Sequence, residues 1–137
     1  MVTPTIPTHT LSDGPPKVLV ALAHPTLRRY VCDVIEQGCR CWLATTAPGP
    51  GMVDLVAELG PDAVVTDQSG FSVLREQGAA IPSTHVLVLG PDDDAYRDAA
   101  MRAGAGAWVD RGTAPAALVA ELDGMLGRCT CGCQRRS

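Results

Sequence analysis

A chain of 137 residues in which 46% are hydrophobic has the size and apolar content of one domain with a buried core, not of a disordered segment. Aromatic residues make up only 4%, so that core has to be built from Ala, Val and Leu. Fifteen acids against eleven Lys and Arg give a net charge of −4 with no basic stripe, which argues against direct nucleic-acid binding, and no apolar run approaches the ~18 residues of a membrane span.

The first sixteen residues, MVTPTIPTHTLSDGPP, hold four prolines and no Lys or Arg. They lack the charged start and apolar centre of a secretory signal, and residues 1–16 read as a flexible lead-in. A cytoplasmic location without membrane contact is the expectation. Lys17 to Ala23, KVLVALA, is a short β-type run. His24-Pro25 follows, and proline suits the first turn of a helix. Leu27, Tyr30, Val31, Val34 and Ile35 then recur at helical spacing until Gly38. His24 is read as part of that helix entry rather than as a ligand. CRCWLAT, residues 39–45, reads as a strand, and PGPG, residues 48–51, as a turn. Met52, Leu55, Val56 and Leu59 mark a helix that ends at Gly60. AVVTD, residues 63–67, is a fully buried strand that finishes in a carboxylate. Phe71 to Gln77 is a short helix, and THVLVLG, residues 84–90, is another buried strand. Asp92, Asp93 and Asp94 stand where an N-cap and a first helical turn belong, and acids there offset the helix dipole. That helix continues through Tyr96, Ala99, Ala100 and Met101 to Gly104. Ala107-Trp108-Val109 is a fifth strand, and Ala114 to Leu126 a last amphipathic helix with Leu118, Leu122, Met125 and Leu126 on one face.

The order is β-α repeated five times. Unbroken apolar strands alternating with helices imply an α/β fold, a parallel sheet covered on both faces. Such sheets present their sites at the carboxyl ends of the strands, and Asp67 occupies the carboxyl end of the third. No G-x-G-x-x-G follows the first strand and no Walker-type loop is present; Gly104-Ala-Gly106 lies between a helix and a strand, the wrong order for a phosphate loop. No Ser-His-Asp or H-E-x-x-H arrangement appears, and no enzymatic activity is expected.

Four stretches together point further: VLVALAHPTLRR, PDAVVTD, VLVLGPDDDAY and AMRAGAGAWVDRGTAPAALVAEL. In this order and spacing they resemble the receiver domains of bacterial response regulators, above all those of the LuxR-type subgroup. The likeness covers roughly residues 17–126. It implies a flavodoxin-like, doubly wound sheet of five parallel strands in the order 2-1-3-4-5, with helices on both faces. It also implies a receiver-like domain over residues 17–127, followed by a Cys- and Arg-containing tail over residues 128–137.

The family's chemistry uses two acids after the first strand to hold Mg²⁺, and an Asp after the third strand as phosphoacceptor. A Ser or Thr after the fourth strand and a Lys after the fifth bond the phosphoryl oxygens. Carried over position by position, the acceptor is Asp67. The acid pair falls on Leu22 and Ala23, the hydroxyl position on Gly90, and the lysine position on Arg111. The rotating aromatic of the family's switch falls on Trp108. Leu22 and Ala23 offer Mg²⁺ no side-chain oxygen, and Gly90 offers a phosphoryl group no hydroxyl. Arg111 keeps a positive charge that suits a carboxylate or a phosphate. The resemblance therefore implies a degenerate receiver in which Asp67 survives, paired with Arg111 or with backbone amides, while Mg²⁺ at Asp67 is not expected. For Trp108, a switch residue and an ordinary packing residue stand as equal alternatives.

The six cysteines are not part of the likeness. In the implied fold the first and last helices share one face and end at the same edge of the sheet. Cys39 and Cys41 follow the first helix, and Cys129, Cys131 and Cys133 follow the last, so the two groups are expected as neighbours at the pole opposite Asp67. Adventitious thiols, a redox disulfide, and a soft-metal site for Zn²⁺ or Cu(I) are the alternatives. Functionally, the leading expectation is a stand-alone atypical receiver. It would bind a protein partner through the helix 4–strand 5–helix 5 face, with a homodimer as a further arrangement. The alternatives are a phosphoacceptor receiver of a two-component system using Asp67, such as a transcriptional regulator without its DNA-binding domain, and a thiol-based redox or metal sensor on the same scaffold.

Overall fold

A computed structural model describes residues 16–38, 41–112 and 115–126. Five strands, β1 (Lys17–Ala21), β2 (Trp42–Thr46), β3 (Ala63–Asp67), β4 (Val86–Gly90) and β5 (Ala107–Asp110), form one parallel sheet in the order β2-β1-β3-β4-β5. They alternate with α1 (Pro25–Gly38), α2 (Pro50–Leu59), α3 (Gln68–Glu76), α4 (Asp94–Arg102) and α5 (Pro115–Leu126). This is the doubly wound, flavodoxin-like strand order expected from the sequence.

Side chains alternate across a strand, so each inner strand feeds two cores. Val18, Val20, Val65, Leu87 and Val109 point to one face and meet Val31 and Ile35 of α1 and Leu118 and Leu122 of α5. Leu19, Val64, Val86 and Val88 point to the other and meet Met52 and Val56 of α2, Phe71 and Leu74 of α3, and Ala100 of α4. β3 and β4 are buried along nearly their whole length, as central parallel strands must be, whereas β2 is an edge with no fully buried residue. Among the described residues no helix is long and apolar enough to cross a membrane.

Several boundaries move from the sequence expectation, each for a local reason. β1 stops at Ala21, because Leu22 drops into the core and Ala23 turns outward ahead of α1. α2 begins at Pro50, inside the expected turn, since proline takes the helix's first position after Gly49. α3 begins at Gln68 rather than Phe71, because Asp67 caps it. β4 begins at Val86, preceded by a 3₁₀ turn over Ser83–His85. Asp93 is the N-cap of α4, its carboxylate accepting from the amides of Ala95 and Tyr96. Of the expected strand 39–45, Cys39 and Arg40 lie outside the described residues, and β2 proper starts at Trp42.

Candidate functional site

Asp67 is delivered to the carboxyl edge of the sheet by β3, half-buried, with extended backbone. Its Oδ1 accepts from the Gly70 amide at 2.8 Å and from the Ser69 hydroxyl at 2.8 Å. Its Oδ2 accepts from the Ala23 amide at 3.3 Å. One carboxylate thus ties the end of β3 to the first turn of α3 and to the loop after β1. Beneath it, fully buried Thr66 donates its hydroxyl to the Ala21 carbonyl at 2.7 Å, joining β3 to β1. Gly70 lies so close that a Cβ there would collide with that hydroxyl. The Thr66-Asp67-x-x-Gly70 run is therefore one interlocked unit.

The positions that the resemblance assigns to the site fall around this unit unequally. Leu22 is fully buried in the α1–α5 core and presents only an aliphatic side chain there. Ala23 is exposed and meets Asp67 only through its amide. Gly90 ends β4, and the ring of Trp108 lies across it. Arg111 is exposed in the turn after β5, its amide donating to the Gly90 carbonyl at 3.0 Å. Among the described residues the ion pairs join Arg97 to Asp94 at 2.9 Å and to Asp98 at 3.9 Å, and none joins Arg111 to Asp67. His24 serves helix entry: its Nδ1 accepts from the Leu27 amide at 3.4 Å and its carbonyl from the Arg28 amide at 2.9 Å.

Arg28 is a residue to which the sequence reading gave no role. Its Nη1 donates to the carbonyls of Leu22 at 2.9 Å and Thr46 at 3.4 Å, strapping the carboxyl ends of β1 and β2 together. A long cationic side chain in the first turn of α1 leans back toward the strand ends, which is the signal that could have found it.

A Mg²⁺ ion does not fit the residues around Asp67. A hard, near-octahedral ion needs several oxygen ligands, usually one or two carboxylates among them. Here the single carboxylate already accepts three donors, and the neighbouring positions supply an aliphatic chain turned inward and a methyl group.

No family profile matches the chain, and no curated protein matches it in sequence. Solved structures do. A response regulator of Chloroflexus aurantiacus superposes with a TM-score of 0.74 at 20% identity, over 83% of this chain and 99% of its own. A response regulator receiver domain protein of Clostridium thermocellum gives 0.71 at 21%, over 82% and 94%. A LuxR-family two-component response regulator of an Aurantimonas species gives 0.67 at 24%, over 85% and 89%. The chain has the receiver fold of response regulators. At these identities the likeness is one of scaffold, and the receiver fold here carries its own set of edge residues.

On this receiver fold the α4–β5–α5 face is thinly covered. α4 buries only Ala100, and it exposes Tyr96 and Met101 by 50% and 44%. A hollow of about 220 Å³ opens between the three elements, lined by Asp93, Arg97, Trp108, Asp110 and Glu121 among others. A second hollow of about 670 Å³ runs between α1 and α5, past Tyr30, Val34 and Val119, and Asp67 is not among its walls.

Of the cysteines expected to gather at the opposite pole, Cys41 alone is described. It lies half-buried just before β2, on the side of the α1–α5 core. Cys39, Cys129, Cys131 and Cys133 lie outside the described residues. Cys32, on α1, packs against the same core. Burial pushes its thiol above the ordinary range; Glu36 and Asp33 add to the rise, and Arg28 opposes it.

Proposed function

We propose that this chain is a signalling module of the two-component type that works by binding a protein partner, without Mg²⁺-dependent phosphotransfer to Asp67. The observation that carries this reading is the state of the Asp67 carboxylate. Both of its oxygens are held by N–H and O–H donors, and no second acid stands at positions 22 or 23. Phosphoryl transfer to a carboxylate brings anions together, and a divalent cation normally offsets that charge. The role this geometry supports for Asp67 is structural: it caps α3 and anchors the loop after β1. We assign no enzymatic activity to the chain. The α4–β5–α5 face is the proposed contact surface, because its helix buries a single side chain and leaves Tyr96 and Met101 open. Exposed large aromatic and methionine side chains are frequent anchors of protein interfaces.

The test is incubation of the full chain with acetyl phosphate, or with a beryllofluoride mimic, in the presence of Mg²⁺. Intact mass and ¹⁹F spectra are compared with those of Asp67→Asn. No Asp67-dependent gain of a phosphoryl group or of bound fluoride is expected. A Mg²⁺-dependent gain that disappears in Asp67→Asn returns the protein to the phosphoacceptors.

A further inference from the structure

We propose that Trp108 and Gly90 form a steric interlock that holds the α4–β5–α5 face in one form and uncouples it from Asp67. Trp108 pairs with Val88 across the β4–β5 ladder, and Gly90 follows two residues later on the same face of β4. The indole leans along β4 and covers Gly90: a Cβ at position 90 would land on its Cη2 and Cζ2. The volume that any side chain at 90 would need is already ring. The ring packs on the core shared with α2, α3 and α4, and β4 is buried from end to end, so the backbone beneath it has nowhere to retreat. Turning the indole outward would leave a void beside Gly90 and expose aromatic surface, two costs with nothing to offset them.

The uncoupling follows from the register. Asp67 pairs with Leu89, and the next residue is Gly90, so the short route from carboxylate to indole crosses these two. Coupling of this kind is carried by packed side chains that have two arrangements. Leu89 belongs to the opposite core, on the α1–α5 face, and Gly90 has no side chain to move. The hollow that Trp108 shares with Asp93, Arg97 and Asp110 therefore keeps one shape whatever happens at Asp67. This goes beyond the functional reading above, and either can fail without the other.

The experiment uses the full chain carrying Trp42→Phe, so that emission comes from Trp108 alone; Trp42 is the other tryptophan, 48% exposed on the edge strand. Emission wavelength, acrylamide quenching and Tm are read. Asp67→Asn, and beryllofluoride with Mg²⁺, leave the emission where it was. Gly90→Ala, and more strongly Gly90→Thr, moves it to longer wavelength, raises quenching and lowers Tm. Should Gly90→Thr not fold, Gly90→Ala decides. Placed on a Trp108→Ala background, Gly90→Ala loses most of its effect on Tm. Unchanged emission in Gly90→Ala, or an equal fall in Tm on both backgrounds, overturns the interlock. A shift of the indole on Asp67→Asn or on beryllofluoride overturns the uncoupling. Bound beryllofluoride with a silent indole leaves the interlock standing and removes the phosphotransfer-free reading instead.

Discussion

Leu22 and Ala23 are neighbours in the chain and opposites in space. The first is sealed in an aliphatic cluster with Val31, Ile35 and Leu118; the second stands in solvent with its amide on Asp67. Acids at these two positions are therefore not equivalent. Ala23→Asp should fold with a urea midpoint near that of the parent. Leu22→Asp puts an unpaired carboxylate into a dry core and should cost more than about 3 kcal/mol, a large part of the roughly 5–15 kcal/mol that holds a domain together. Urea titration of the two variants checks this, and equal tolerance would mean that Leu22 does not sit where it is described. The sequence could not separate the pair, because VLVALA, residues 18–23, is apolar throughout and says nothing about where the strand ends. Nor could it find the three donors on Asp67, two of which come from residues that carry no apolar pattern, Ser69 and Gly70.

Among the helices, α4 buries the fewest side chains. α1 buries Val31, Val34 and Ile35, and α5 buries Leu118, Leu122 and Asp123, but α4 buries Ala100 alone. Its support is the Asp93 cap and an exposed Arg97–Asp94 pair, the latter worth well under about 1 kcal/mol. Native-state hydrogen exchange should show the α4 amides opening at lower free energy than those of α1 or α5, within a protein whose β3 and β4 exchange only by global unfolding. Equal protection in α4 and α1 would contradict the picture of a helix left free for a partner. Much of this layer was legible beforehand: β3 is bounded as its apolar run is, and the acids at 92–94 announced the start of α4. The illegible ends were those set by caps, where Asp67 starts α3 three residues ahead of its first apolar side chain, and those at the edge, where β2 has no buried face to give it a period.

Across the whole molecule, one sheet separates two aliphatic cores. Cys32 sits against the α1–α5 core with its thiol raised by burial and by Glu36 and Asp33. A raised folded pKa favours the neutral thiol, so its contribution to stability is complete below the ordinary thiol value of about 8.5 and is lost as pH climbs through the higher folded value. The gap in urea midpoint between the parent and Cys32→Ala should narrow with rising pH on the alkaline side, and a constant gap would remove the linkage. The β-α alternation was readable from five apolar runs separated by helical periods, and the strand order came with the family resemblance; the Gly90–Trp108 contact was not readable, because it depends on the β4–β5 register, which no single stretch contains. The burial of Leu22 also shapes which descendants this sequence can have. A lineage that changes one residue at a time reaches an acid at 23 freely, but reaches one at 22 only after α1 and α5 have been repacked around the space it leaves. A second acid after β1 at position 22 is thus reached only through the core that α1 and α5 share.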